Sequence, residues 1–187
     1  MLASMIRAVM VLIVVILAGC AVSEVPSPAA SRITMVTSGD PALVAKTYAW
    51  HPTLFAVHTA NKMDEDALRI HFRQAVDNVM TAKGYRLVNL EQMPQMTVGF
   101  GLALESAMSD VEILAKVGLV PGLSTQGVDK AFEKGSVLIA LFPAKVERPF
   151  WQVLAQGFTE PSRDIEDREA RFEHLAQIML NGLPDVN

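Results

Sequence analysis

Cysteine is nearly missing from this chain: Cys20 is the only one. No disulfide can close within one molecule, so the folded part must hold together by packing. Positive charge is in no excess either, because 16 Lys+Arg stand against 20 Asp+Glu for a net charge of −4. That balance gives no electrostatic footprint for nucleic acid. A long apolar run is also missing. The uncharged stretch from Ala8 to Ser23 offers 16 residues, or about 24 Å of helix at ~1.5 Å per residue. A hydrocarbon core of ~30 Å needs more.

What stands at the N-terminus instead is an address. Arg7, an apolar h-region from Ala8 to Leu17 and small residues after it have the layout of a secretory signal. Leu17-Ala18-Gly19-Cys20 closely resembles the lipobox of bacterial lipoproteins, which places cleavage before Cys20. The expected partner is then the membrane, through lipidated Cys20 carrying palmitate-type chains at ~0.8 kcal/mol per buried CH₂. Ala21 rather than aspartate follows the cysteine, which favours the periplasmic face of the outer membrane. The expected organisation is a signal peptide over 1–19, a lipidated tether over 20–32 and a single domain over 33–187. Loss of Arg7 with the signal makes the mature net charge −5. The tether "AVSEVPSPAAS" has no periodicity with which to bury a face, and extended at ~3.1 Å per residue it would reach about 34 Å.

Within the domain, "RITMVT" (32–37) reads as a strand closed by the turn Ser38-Gly39-Asp40-Pro41. "AKTYAW" (45–50) reads as a second strand, with Tyr48 and Trp50 on one face. A helix is expected from Asp64 to Lys83, where Leu68, Phe72, Ala75, Val76 and Val79 make an apolar stripe and Gly84 a stop. "YRLVNL" (85–90) and "MTVGFGLAL" (96–104) are further strands. Ser109 and Glu112 have capping-box spacing for a short helix to about Val117. "GSVLIALF" (135–142) is apolar on both faces, as a central strand is, and "PFWQVLAQGF" (149–158) is its expected partner. Ser162 is the expected cap of a last helix to about Leu180, with Ile165, Phe172, Leu175, Ala176 and Met179 inward. The fold class that follows is α+β: an antiparallel sheet of about five to six strands packed against two long helices in two layers.

"KTYAW", a helix ending "AKGY" (82–85), "GSVLIAL", then "FWQVLAQG" and a closing amphipathic helix occur in that order. In this the chain resembles the bacterial envelope lipoproteins of domain of unknown function 4136, over most of residues 33–183. The resemblance implies a fold and an envelope address, and brings no catalytic residues with it.

The residues themselves carry little chemistry. His51, His58, His71 and His174 form no HExxH pair, so no metal site and no cofactor are expected. His51 and His58 with Asp64 and Glu65 read as a solvated loop. Ser124 lies outside any GxSxG elbow. Asp164, Glu166, Asp167 and Glu169 fall on a wet helical face. Met93 and Met96 lack a third soft ligand, and Tyr48, Trp50 and Trp151 sit on strands apolar enough to be packing a core. No catalytic residue is assigned. The expected function is a non-catalytic binding or envelope accessory module, with an unknown envelope protein or a lipid-like ligand as partner; the alternative is an envelope hydrolase with a site assembled from distant residues. Partner contact is expected at Leu119, Val120 and Leu123, because the 118–127 loop is apolar where a connecting loop is usually polar.

Overall fold

The computed structural model describes residues 31–59, 65–160 and 165–186. The signal peptide, Cys20, Asp64 and Ser162 therefore lie outside the described residues. In chain order the elements are β1 (Ile33–Gly39), β2 (Thr47–His58), α1 (Glu65–Ala82), β3 (Arg86–Leu87), β4 (Met96–Leu104), α2 (Asp110–Val117), β5 (Glu133–Pro143), β6 (Trp151–Thr159) and α3 (Ile165–Leu180). The six strands form one sheet in the order β1-β6-β5-β4-β2-β3.

That sheet is mixed, which corrects the antiparallel expectation. β4, β5, β6 and β1 pair antiparallel, but β2 runs parallel to both β4 and β3. The cause is α1. A helix laid across the sheet returns the chain to the end from which β2 started, so the next strands must run the same way. The described residues hold three helices where the fold class counted two long ones, because the expected short helix, the eight-residue α2, lies on the opposite face of the sheet and adds to the two layers. Its expected ends are as read. Ser109 and Glu112 close a capping box, and Gly118 ends the helix in the left-handed region.

β2 is twice the expected length. The strand continues past Pro52 through an irregularity between Trp50 and Phe55 that takes the proline out of the ladder. His51 stabilises this bend, its Nδ1 accepting from the N–H groups of Thr53 and Leu54 at 3.3 and 3.2 Å. It belongs to a strand, not to the expected loop. Of 85–90 only Arg86–Leu87 is strand, continued by a bond from Val88 N–H to the Tyr48 carbonyl.

The helical face holds the core. Phe72, Val76 and Met80 of α1 and Ala176, Met179 and Leu180 of α3 pack on Tyr48, Trp50, Val98, Phe100, Ile139 and Val153 of the sheet. Phe100 is its hub, with ring centroids 5.1 Å from Phe72, 5.4 Å from Phe55 and 5.7 Å from Trp50. Phe72 in turn meets Phe172, which ties α1 to α3.

Two short motifs are explained by this packing. In "KTYAW", Tyr48 and Trp50 bury their rings and send their polar tips to Asp77 on α1: the Tyr48 hydroxyl donates at 2.6 Å and Trp50 Nε1 at 3.3 Å. Arg73, one turn earlier, lies 5.0 Å over the Trp50 ring. In "AKGY", the Tyr85 hydroxyl donates to the Pro184 carbonyl and the Lys83 ammonium to that of Leu183, which clamps the C-terminal segment. Burial, then the Asp185 charge, push the Tyr85 hydroxyl up to about 12. All of these are structural uses of polar atoms.

Candidate binding groove

The face of the sheet turned away from α1 and α3 is covered in part. Its floor is built from alternate residues of five strands: Ser38, Leu54, Ala56, Gly101, Ala103, Ser136, Leu138, Ala140, Gln152 and Leu154. One wall is α2 with Met108, Ile113, Lys116 and Val117, and the other is the β5–β6 connection with Glu147, Arg148, Pro149 and Phe150. The space between them is about 750 Å³ and open to solvent. A volume of this size suits a small molecule or a short segment of another chain.

Small side chains keep the floor low. At Gly99 a Cβ would fall 2.5 Å from Leu54, so the glycine lets Leu54 fold across β4. Gly101 is different: a Cβ there would meet nothing nearer than the Ala56 carbonyl oxygen at 3.8 Å. Packing does not require that glycine, and its missing side chain leaves room in the groove.

A buried polar network holds the α2 wall in place. The Lys134 ammonium, on a residue only 5% exposed, lies 2.9 Å from Asp110 and 3.0 Å from Glu105. Gln156, 1% exposed, uses every polar atom of its side chain: Nε2 donates to Asp110 and Ser136, and Oε1 accepts from Leu123 N–H at 2.9 Å. Burial disfavours charge on Lys134, but the hydrogen bonds and charges of Asp110 and Glu105 outweigh it and raise its pKa above the ordinary lysine value. Gln152 adds a bond from Nε2 to the Val117 carbonyl at the end of α2.

This network corrects part of the expected contact loop. Leu123 is buried, because its N–H is drawn to Gln156 and its side chain follows inward. Leu119 and Val120 are half-buried. The loop lies over the sheet rather than projecting, and Arg32 pins it further by donating to the Ser124 carbonyl at 3.1 Å. Of the remaining sequence candidates, His58 lines the groove, whereas His51 packs on Phe142 with ring centroids 4.9 Å apart. His71 lies 3.7 Å from Glu169 between the long helices. Met93 is exposed and Met96 buried, so these two do not converge. Tyr48, Trp50 and Trp151 are core residues. Among the described residues no group of three His, Cys, Asp or Glu side chains could hold a metal ion, and no helix is long and apolar enough to cross a membrane.

Sequence reasoning missed Lys134, Asp110, Gln156 and Asp77. Lys134 carried a usable signal, since its charge sits beside a strand apolar on both faces. Asp77 did not, because it borders the apolar stripe of α1 where a charge normally meets water.

These features define a class: an α+β scaffold whose helical face holds the hydrophobic core and whose other sheet face is an open groove. The chain belongs to the family described as Domain of unknown function (DUF4136), which matches residues 43–185. Among solved structures, the PelC dodecamer from Paraburkholderia phytofirmans is 12% identical, covers 83% of this chain and 100% of its own, and superposes with a TM-score of 0.51. A DUF4136 family protein from Bacteroides thetaiotaomicron is 10% identical and covers 82% of this chain and 98% of its own, with a TM-score of 0.46. No curated protein matches the chain.

Proposed function

We propose that this protein is a lipoprotein, anchored through Cys20 in the periplasmic leaflet of the outer membrane, that acts without catalysis as a binding module of the envelope. The observation that carries the binding reading is the groove, an open space of about 750 Å³ over a floor built mostly from glycine, alanine and leucine, with a glycine at position 101 that packing does not need. Its occupant in this reading is an apolar segment of an envelope protein or a lipid-like molecule. The small floor accepts an apolar body, and Lys116 and Arg148 on opposite walls are placed to meet polar groups at its ends. The lipobox-like Leu17-Ala18-Gly19-Cys20 supports the anchor.

Two experiments test the two halves. Cys20→Ser is expected to abolish incorporation of labelled palmitate and to leave unprocessed precursor; a variant that is still labelled and processed removes the anchor from the proposal. Gly101→Val fills the groove with a side chain suited to a strand, and the change is expected to alter stability by no more than ~1 kcal/mol. A photoreactive residue at Lys116 is expected to crosslink an outer-membrane component in cells, and Gly101→Val to suppress that product. Crosslinking that persists in a folded Gly101→Val variant places binding elsewhere.

A further inference from the structure

β1 is an edge strand, and no described strand pairs with its outer side. Natural sheets blunt such edges with proline, lysine, a bulge or a covering element. Among the described residues this edge is not blunted so. Ile33-Thr34-Met35-Val36-Thr37-Ser38-Gly39 has no charge and no proline, pairs with β6 in unbroken register, and leaves all its residues exposed except half-buried Val36.

The ladder determines which backbone groups are free. Asp40 N–H donates inward to the Phe150 carbonyl at 3.0 Å. By the alternation of an antiparallel pair, Thr34, Val36 and Ser38 also bond inward, whereas Ile33, Met35, Thr37 and Gly39 turn their N–H and C=O groups outward. Such a row of donors and acceptors is matched by another extended strand.

We propose that the strand completing this edge is β1 of a second copy of the chain, antiparallel about a two-fold axis at Val36, so that two six-stranded sheets join into one. Register and charge select this occupant. With the axis at Val36, Ile33 falls opposite Gly39 of the partner subunit and Met35 opposite Thr37 of the partner subunit, which sets outward groups against outward groups. The same register places Arg32 opposite Asp40 of the partner subunit at both ends of the seam. Parallel pairing would set like charge beside like. Exposed Ile33 and Met35, 36% and 41% accessible, would gain cover from the added strand. The arrangement is independent of the groove. It is also compatible with anchors in one membrane, because the two copies of Ile33 would stand about 20 Å apart along the seam and each tether reaches about 34 Å if extended.

Disulfide trapping of the full chain in the envelope tests both the pairing and its register. Residues opposite each other at a non-hydrogen-bonded position have Cα atoms about 4.5 Å apart, within disulfide reach. Val36→Cys is therefore expected to give a disulfide-linked dimer. Thr34→Cys alone and Ser38→Cys alone, each about 13 Å from its own copy along the seam, are not; co-expressed, those two variants are expected to crosslink to each other. Thr37→Pro removes an outward N–H and spares the inward bonds, so it should abolish the Val36→Cys dimer at an unchanged melting temperature. Thr37→Lys, which leaves the backbone intact and sets like charges at the seam, is a second blocker should the proline disturb folding. A Val36→Cys chain that stays monomeric while folded overturns the proposal. Equal crosslinking by Thr34→Cys alone overturns the register.

Discussion

Phe100→Ala is expected to cost about 3–5 kcal/mol, the usual range for removing a fully buried phenylalanine. Phe100 is fully buried and touches the rings of Trp50, Phe55 and Phe72 in edge-on or near edge-on arrangements. Each such pair adds roughly 0.5–1.5 kcal/mol beyond burial. The site cannot collapse easily, because β2 and β5 hold β4 on both sides and α1 lies above it. At roughly 2–4 °C per kcal/mol for a domain of this size, the melting temperature should fall by about 6–20 °C. Phe100→Leu, which keeps most of the volume, should lose much less. Thermal unfolding followed by circular dichroism reads both. A Phe100→Ala variant that melts within about 2 °C of the parent would show that the core is centred elsewhere.

How much of this was legible beforehand varies with the physics of each element. β4 was readable to the residue, since Met96–Leu104 alternates cleanly between turn signals. α1 and α2 were readable as well, because apolar spacing and a capping box are local properties of the chain. The direction of β2 relative to β4 was not. Parallel pairing is decided by the path of α1 over the sheet, and no residue within either strand encodes it. The continuation of β2 past Pro52 was hidden for a related reason: a bend satisfied by His51 Nδ1 makes the proline tolerable, and that rescue exists only in the folded chain. The groove was the least legible feature. Its floor comes from five strands and its walls from two connections, so its residues are scattered from Ser38 to Leu154. The 118–127 loop was recognisable as apolar, but whether it projects depends on Gln156, more than thirty residues later.

Asp110→Ala should produce the second largest loss, about 2–4 kcal/mol, because it removes one partner of a buried charge. Breaking a fully buried pair typically costs 3–5 kcal/mol; here Glu105 remains 3.0 Å from the Lys134 ammonium and moderates the loss. Gln156 loses its 2.7 Å acceptor in the same step, which adds an unsatisfied buried donor. Combining Asp110→Leu with Lys134→Met should recover part of the stability, since it removes both charges of the buried pair and leaves unpaired only the half-exposed Glu105 and the Gln156 Nε2 hydrogen that Asp110 had accepted. The pH dependence has a definite sign. The pKa of Lys134 is raised in the folded protein, so its contribution is fully present below the ordinary lysine value and is lost as pH rises through the folded value. Lys134→Met should therefore lack that alkaline component of the parent's unfolding. The network also carries the groove wall: with Asp110 gone, α2 loses its links to β5 and β6 through Lys134 and Gln156, and crosslinking from Lys116 should weaken along with stability. An Asp110→Ala chain as stable as the parent, with crosslinking intact, would mean that α2 is held by Ile113 packing and the Gln152–Val117 bond alone.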